Sequence, residues 1–253
     1  MQIISQAKVK QIKALHQKKI RDESGLFLVE GAKTVLETLK SNWETHLIAV
    51  TNSFYDLYKT ELLPFEDKIF ICTEEQLSGI TTFKTNNAAL LVCRQLENLT
   101  NPDPNADLWL VLESISDPGN MGTIIRLADW FGLNQVLTIG DCVEWYNPKV
   151  ISAGMGSFIR IRQVKSDAGT LLQSGRKSFA AHMKGKSLYD FNFPEKSMLT
   201  IGNEAKGISE NWLSAKTYPI TIPSFGKAES LNAGIATGIL LNHFQYCRTR
   251  KSD

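Results

Sequence analysis

The sequence contains few cysteines, and they are too far apart to suggest a metal site or a disulfide framework. Only four occur among the 253 residues: Cys72, Cys93, Cys142 and Cys247. The sequence has no CxxC pair and no cysteine–histidine cluster, which argues against structural zinc. Such cysteine usage fits a reducing compartment, so we expect a cytoplasmic protein without a bound metal.

Long hydrophobic runs are also missing. No stretch approaches the ~18 consecutive apolar residues of a membrane span. The N-terminus, MQIISQAKVKQIKALHQ, lacks the apolar core of a secretion signal. An apolar content of 43% is enough for one large or two modest domains. The sequence therefore predicts a soluble protein that is neither secreted nor bound to a membrane.

Common nucleotide-binding fingerprints are absent as well. No G-x-G-x-x-G occurs, which disfavours a Rossmann-type methyltransferase or dehydrogenase. The string AAHMKGKS at residues 180–187 resembles a Walker A loop but lacks its first glycine, and DFNFPE soon interrupts any following helix. The four histidines stand in no catalytic or metal-binding pattern.

A large charge imbalance is missing too, since the net charge is only +2, but the charge is unevenly distributed. Residues 4–20 are predicted to form an amphipathic helix. The sequence before Asp22 contains no acidic residue, and its cationic residues are Lys8, Lys10, Lys13, Lys18, Lys19 and Arg21. A segment of this kind can contact nucleic-acid phosphates. An ordinary solvated helix face has the same pattern.

The first third of the chain alternates strands and helices. Strands are predicted at 24–31, at HLIAVT, at KIFICT and at NAALLVCR (residues 87–94), with helices at 32–41 and between residues 54 and 63. This pattern indicates a small α/β sandwich over residues 1–97. Residues 98–106, NLTNPDPNA, contain two prolines and three asparagines, so we interpret them as a linker before a second domain at 107–253.

The second domain alternates in the same way. Strands are predicted at 108–112, 135–139, 158–164, 178–182, 198–201 and 218–222, with helices at 121–131, near Leu171 and at 230–246 and a helix or loop around 148–155. Two loops of small and polar residues follow the last two strands, at 202–204 and 223–226. Because open α/β sheets bind ligands at the carboxyl ends of parallel strands, we expect the active site there. Gly234 and Gly238 inside the last helix indicate close approach by another backbone or a ligand.

Three strings in this domain resemble the signature motifs of the SpoU/TrmH RNA 2′-O-methyltransferases. They are LWLVLESISDPGNMGTIIRLADWFG at 108–132, IGNEAKGIS at 201–209 and IPSFGKAESLNAGIATGILL at 222–241. The shorter string FLVEG at 27–31 resembles the start of the family's substrate-binding domain, which is similar to RNA-binding ribosomal proteins. Alternation alone predicts an ordinary doubly wound sheet. The resemblance instead implies a SPOUT fold whose C-terminal chain forms a trefoil knot, a very rare feature in proteins.

The resemblance also implies the reaction and its residues. It implies methyl transfer from S-adenosylmethionine to a ribose 2′-hydroxyl of rRNA or tRNA. The implied catalytic residues are Asn120, Arg126, Glu204, Ser230 and Asn232. The implied cofactor contacts, made chiefly through the backbone, are Gly202, Ile222 and Leu231. Glu204 would contact Arg126 or Ser230 in such a site.

Each of these residues also has an ordinary structural interpretation. The turn SDPGN, with Asn120, is typical of helix capping, and Ser230 or Asn232 could cap the last helix. Glu204 could be a carboxylate at a helix N-terminus. Arg126 is either a surface residue or a phosphate-binding fork. In the family it is also proposed as the general base, a demanding role for a residue that is effectively always protonated.

Alternatives to this function stay open at this point. The chain could be a non-catalytic RNA-binding or ribosome-assembly protein that kept the fold, or a SPOUT methyltransferase acting on a base.

The last helix departs from the family by having Ala233-Gly234 where Val-Ser is usual, which could alter helix packing or dimer contact. The last helix is apolar or small around most of its circumference, which predicts a homodimer; packing of the N-terminal domain there is the alternative.

Overall fold

The computed structural model describes residues 2–81, 88–213 and 216–249, and the chain forms two compact units. The first comprises Met1–Glu97 together with Tyr146–Ile159, and the second comprises Asn98–Trp145 and Arg160–Asp253. From the sequence, each domain was expected to be one continuous stretch. The structure adds to the first unit a segment that the chain reaches about 50 residues later.

The first unit is an α/β fold built on a five-stranded mixed sheet in the order β1-β4-β3-β5-β2. The strands are β1 Gln2–Ile3, β2 Leu26–Glu30, β3 Thr45–Val50, β4 Ile69–Ile71 and β5 Ala89–Arg94. The helices are α1 Gln6–Ala14, α2 Lys18–Ser24, α3 Ala32–Leu39, α4 Asn52–Leu57, α5 Lys59–Leu62 and α6 Glu74–Ser78, with a 3₁₀ segment at Leu63–Lys68. Asn87, where the last predicted strand began, lies outside the described residues.

The predicted N-terminal helix is divided in two. The buried guanidinium of Arg21 donates a hydrogen bond of 2.7 Å to the carbonyl oxygen of Leu15, between α1 and α2. The Leu15 carbonyl oxygen therefore accepts a hydrogen bond from a side chain instead of from the backbone N–H of a continuing helix. The pattern of apolar residues did not reveal this break, because no proline or glycine marks it.

The segment Tyr146–Ile159 joins the first unit through aromatic side chains. Phe158 makes edge-on contacts with Phe27 and Trp43, at ring-centroid distances of 5.7 and 5.2 Å. The Tyr146 ring lies 4.6 Å from that of Phe27, and its hydroxyl accepts a hydrogen bond from Leu96 N at 3.0 Å. Helix α8, Pro148–Gly154, belongs to this segment.

The second unit contains a six-stranded parallel sheet in the order β11-β9-β10-β6-β7-β8. The strands are β6 Leu108–Glu113, β7 Gln135–Ile139, β8 Arg162–Lys165, β9 Lys177–Ser187, β10 Ser197–Ile201 and β11 Thr217–Thr221. The helices are α7 Pro118–Trp130, α9 Ala168–Leu172, α10 Glu210–Leu213 and α11 Ala233–Thr249, with a 3₁₀ turn at Leu188–Asp190. The parallel sheet expected from the sequence is confirmed.

One prediction for this unit needs correction. The strand predicted at 158–164 is wrong at its start, since a 3₁₀ turn at Ser157–Ile159 precedes β8. Left-handed backbone at Met155 and Gly156 redirects the chain there, so that Phe158 enters the aromatic cluster. The Walker-like string lies on β9, whose Gly185 touches the backbone of β11, and a phosphate-binding loop is therefore excluded.

The order of the strands determines where a ligand can bind. From β6 the chain crosses through α7 to β7 on one side, whereas β10 lies on the other side of β6. Connections leaving in opposite directions open a crevice at the carboxyl ends of the two strands. Within the described residues, no helix is both long and apolar enough to span a bilayer.

Candidate active site

Three loops meet the carboxyl edge of the sheet. The first follows β6 and leads through Asp117 into α7, the second follows β10, and the third connects β11 to α11. Asp117 caps α7 by accepting a hydrogen bond of 2.7 Å from Asn120 N, and Pro118 occupies the first turn of the helix. This cap stabilises the helix end and fixes Asn120 in its first turn, where only 8% of the residue is exposed.

A chain of hydrogen bonds joins the three loops. Asn120 Nδ2 donates to Glu204 Oε1 at 2.8 Å, and Asn120 Oδ1 accepts from Asn232 Nδ2 at 2.7 Å. Asn232 Oδ1 in turn accepts from Gly234 N at 2.9 Å and from Ile235 N at 3.3 Å, so Asn232 caps α11. The structure thus brings together three of the five predicted catalytic residues.

The N–H groups at the start of α11 determine which atom of each amide donates and which accepts in this series of hydrogen bonds. Backbone N–H groups at the start of α11 require the oxygen of the Asn232 amide, so its nitrogen must face Asn120. The Asn120 amide is then oriented with its nitrogen toward Glu204. The Asn120 N–H can donate only to a carboxylate oxygen that carries no proton. This hydrogen bond therefore favours the ionised form of Glu204.

The pKa of Glu204 agrees with this geometry. Burial raises it, but hydrogen bonds from the Asn120 amide and from backbone N–H groups of Glu204, Ser116 and Asp117 outweigh that effect, and the pKa lies below its ordinary value. The second carboxylate oxygen accepts from the hydroxyl and backbone N–H of Ser116, at 3.3 and 3.4 Å. Glu204 is therefore held as an anion at neutral pH.

Arg126 and Ser230 are exposed and stand apart from this chain of hydrogen bonds. The family resemblance implied that Glu204 contacts one of them. Among the residues that the structure describes, its partners are instead Asn120 and the Ser116–Asp117 turn. The Asn120 amide takes one carboxylate oxygen, and the hydroxyl and N–H of Ser116 take the other, which explains the difference.

The three predicted cofactor residues lie on the second and third loops. Gly202 begins the loop after β10, where an added Cβ would lie 2.5 Å from the backbone of Gly207. Ile222 is half-buried and Leu231 is exposed, at the two ends of the β11–α11 loop. Within the described chain, residues 223–231 make no hydrogen bond between backbone groups. Apolar side chains beside backbone groups that are not paired with each other suit an adenine ring.

The pair Ala233-Gly234 permits close packing of α11 on α7. An added Cβ at Gly234 would lie 2.9 Å from Thr123 Cγ2, and one at Gly238 would lie 3.4 Å from Leu127. The glycines do mark a close approach, but the neighbour is a pair of side chains on α7 and not the backbone or ligand that the sequence predicted. The pattern of small residues could not identify the neighbour, because it lies more than 100 residues earlier.

Sequence reasoning missed two residues of the site, Ser116 and Asn203. Ser116 contacts Glu204 directly, whereas Asn203 Nδ2 donates to the carbonyl oxygen of Ser114 at 2.8 Å. Both lie in turns rich in polar residues, where serine and asparagine are common for local reasons. The described residues contain no cluster of three or more His, Cys, Asp or Glu side chains that could hold a metal ion.

Comparisons with known proteins agree with this arrangement. Residues 107–242 match the SpoU rRNA Methylase family, and residues 6–90 match the MRM3-like substrate binding domain. The chain is 30% identical to the 23S rRNA (guanosine(2553)-2′-O)-methyltransferase RlmP of Bacillus subtilis (strain 168), over 94% of this chain and 96% of that one. It is 29% identical to the 23S rRNA (guanosine-2′-O-)-methyltransferase RlmB of Neisseria meningitidis serogroup B, over 62% and 64% of the two chains.

A solved structure extends the similarity over both units. The AdoMet-bound rRNA methyltransferase of Sinorhizobium meliloti superposes with a TM-score of 0.85 at 26% identity, covering 97% of each chain.

Proposed function

Because the chain belongs to the SpoU rRNA methylase family, we propose that the Glu204–Asn120–Asn232 cluster is the active site of an S-adenosylmethionine-dependent rRNA ribose 2′-O-methyltransferase. The observation that carries the assignment is the hydrogen-bonded chain that joins three loops at the switch point of the parallel sheet.

The reaction requires alignment and the loss of one proton. Bound S-adenosylmethionine supplies an electrophilic methyl group, and the 2′-oxygen must approach it in line. We assign to the Asn120 and Asn232 amides, with the exposed hydroxyl of Ser230, the positioning of the ribose beside Glu204. The Glu204 carboxylate, whose pKa is lowered, is a weak base and orients these amides as an ionised acceptor, so the proton lost from the hydroxyl passes to solvent.

Arg126 we assign to an RNA phosphate. Its guanidinium is exposed on α7, and within the described residues it makes no ion pair or hydrogen bond that would occupy its five N–H groups. Guanidinium groups are effectively always protonated and match phosphate geometry with two parallel bonds. Arg126→Lys should therefore retain more activity than Arg126→Ala and should raise KM for RNA more than it lowers kcat. Equal loss of kcat in both variants would instead favour the general-base role.

Gly202, Ile222 and Leu231 would hold the cofactor. Titration calorimetry with S-adenosylmethionine or its demethylated product should show binding in the absence of RNA, and NAD and ATP should not bind. A Leu231→Asp variant, which puts a charge on an apolar wall, should weaken this binding at least tenfold. No binding of S-adenosylmethionine at millimolar concentration would overturn the enzymatic function and leave the non-catalytic alternative.

The first unit we assign to RNA binding, because it matches a substrate binding domain and carries the basic N-terminal segment. Replacing the lysines of this segment by glutamine should weaken RNA binding and flatten its salt dependence, since each phosphate contact releases counterions. The lysines to replace are Lys8, Lys10, Lys13, Lys18 and Lys19. An equal number of exposed lysines of the second unit, at 165, 177, 184, 196 and 216, provides a charge-matched control. Equal effects in both variants would show that only net charge matters.

The substrate we propose is 23S rRNA, which the names of the Bacillus subtilis and Neisseria meningitidis relatives give as the substrate of those proteins. Such a substrate places the enzyme in the cytoplasm of a bacterium. Mass mapping of ribose methylation in RNA from cells with and without this protein tests the proposal. Loss of one ribose methyl group in 23S rRNA is expected; loss of a tRNA ribose methyl or of a base methyl would correct the substrate or the reaction.

We also propose that the enzyme is a homodimer through α7 and α11. Apolar side chains on these helices are exposed in the chain, with Trp130 82% and Ile235 56% accessible. Light scattering should report a dimer for the full-length protein and a monomer for Ile235→Lys. The full chain must be used, because removing residues 1–106 would uncover Tyr146 and Phe158. A monomeric parent protein would disprove the interface.

The trefoil knot of the SPOUT fold is a further part of the proposal. The strand order supports it, since β10 lies between β9 and β6 while the chain continues to β11 beyond β9. An experimental density map that follows the backbone from β9 through α11 would test the threading of the chain.

A further inference from the structure

Asn203 closes the loop that carries Glu204. Its backbone exchanges two hydrogen bonds with Gly207, from Asn203 N at 3.0 Å and from Gly207 N at 2.9 Å. Its side-chain oxygen accepts from Ala205 N at 2.9 Å and from Lys206 N at 3.0 Å. The Oδ1 atom thus satisfies the turn internally and fixes the direction in which the next residue, Glu204, leaves the backbone.

The same side chain joins this loop to the one after β6. Asn203 Nδ2 donates to the carbonyl oxygen of Ser114 at 2.8 Å, across 89 residues of sequence. Ser114 has a left-handed backbone with φ of 54°, and its own N–H donates to Ile139 O at 3.0 Å. A non-glycine residue in this conformation needs support from its surroundings, and the Asn203 amide supplies part of it.

The bond lies directly beside the catalytic contacts. Ser114 precedes Ser116 by two residues, and Asn203 precedes Glu204 by one. The two loops are therefore joined twice, by the Asn203 amide and by the Glu204 carboxylate with Ser116 and Asn120. Because the first link uses groups that touch neither Asn120 nor Asn232, it can set the distance between the loops independently of the catalytic chain.

We infer that Asn203 is a positioning residue of the methyl transfer, which holds the Glu204 loop at the distance from α7 that the Glu204–Asn120 hydrogen bond requires. The inference rests on the proposed function of this site. Both atoms of the amide are used, and for different purposes: the oxygen shapes the loop and the nitrogen attaches it to Ser114. No hydrophobic or charged side chain of similar size can do both.

Two substitutions separate these purposes. Asn203→Asp keeps an oxygen for the Ala205 and Lys206 N–H groups but places a second acceptor against the Ser114 carbonyl. Asn203→Ser keeps a short acceptor for the turn and removes the link without adding a charge. Both variants should lower kcat by about 10- to 100-fold, the effect of a catalytic group displaced by about 1 Å, with KM for RNA changed less than threefold.

The pH profile distinguishes positioning from general loosening. With the link lost, Glu204 receives weaker donation from Asn120 and Ser116, and the acid limb of kcat should move to higher pH in both variants. In a Glu204→Gln background the same substitutions should have no further effect on kcat, because the residue through which Asn203 acts is gone. Asn134→Ala, an asparagine remote from the loop, is the control and should leave kcat and the acid limb unchanged.

The results decide between clear alternatives. A parent protein that is inactive on every RNA would refute the proposed function and not the link. An active parent with kcat within twofold in both folded variants would overturn the inference, and so would a full loss that persists in the Glu204→Gln background. If Asn203→Asp unfolds below the assay temperature, Asn203→Ser decides the matter alone.

Discussion

The side-chain nitrogen of Asn120 lies 2.8 Å from Glu204 Oε1, although 84 residues separate the two in the chain. Each residue alone has an ordinary explanation, as part of a helix start and as a carboxylate in a loop. Together they connect β6 and β10 at the point where the connections of the sheet diverge. This relationship, and not either residue by itself, marks the site.

Removing Asn120 should affect catalysis much more than folding. Asn120→Ala leaves Glu204 without its amide donor and Asn232 without its acceptor, and hydrogen bonds to charged groups contribute about 1.5–3 kcal/mol. We expect kcat for methyl transfer from labelled S-adenosylmethionine to fall by ~10–100-fold. Asn134→Ala, at an exposed loop of the same unit, should stay within twofold of the parent. A similar loss in both variants would contradict a specific role.

The contribution of Glu204 to stability should depend on pH. Its pKa is lowered in the folded protein, so its stabilising effect is present above the ordinary glutamate value of ~4.3 and disappears as pH falls through the lower folded value. Urea unfolding of the parent and of Glu204→Gln should differ at pH 7 and converge below about pH 4. Glu195→Gln, on an exposed loop, serves as the control. A difference that does not change with pH would refute the ionised hydrogen-bonded state.

The pair Ala233-Gly234 should be required by the packing of α11 on α7. Gly234→Ser, which restores a hydroxyl residue typical of the family, brings its Cβ within 2.9 Å of Thr123 Cγ2. We expect a destabilisation of ~1–3 kcal/mol, measured by chemical denaturation. The double variant with Thr123→Ala should recover most of it. Gly238→Ala, with 3.4 Å to Leu127, should instead be neutral or stabilise the helix by up to ~1 kcal/mol.

The aromatic cluster should determine the stability of the first unit. Phe158 is fully buried between Phe27 and Trp43, and replacing such a ring by alanine costs ~3–5 kcal/mol. Phe158→Ala should therefore lower the urea midpoint followed by tryptophan fluorescence. Met155→Ala, in the same segment but 49% exposed, should change stability by less than ~0.5 kcal/mol. Equal effects would show that the segment packs only loosely.

Much of the fold follows from local pattern. Apolar runs bounded by glycine, proline and serine locate most strands within one or two residues, because a buried parallel strand needs little else. Composition predicts a linker at residues 98–106, and this segment contains no helix or named strand. The strand predicted near Phe158 fails for a physical reason. That apolar residue serves a cluster with Phe27 and Trp43, more than 110 positions away, and periodicity reports only on neighbours.

The site was predictable to a similar degree. Asn120, Glu204 and Asn232 could be selected from their motifs, and the structure places them in one hydrogen-bonded chain. The contact between Ser116 and Glu204 could not be predicted, because a serine in a turn has many local uses. The same holds for Asn203, whose two roles become visible only when the Ser114 carbonyl is brought to it by the sheet.

The inclusion of Tyr146–Ile159 in the first unit has a consequence for biosynthesis. The N-terminal 97 residues emerge from the ribosome well before this segment is synthesised. Phe27 and Trp43 therefore stay uncovered while the first strands of the second unit emerge. Folding of the two units is therefore interleaved during translation. For the same reason, exchanging the first domain between relatives at residue 97 should yield chimaeras with an incomplete core, unless the later segment is exchanged with it.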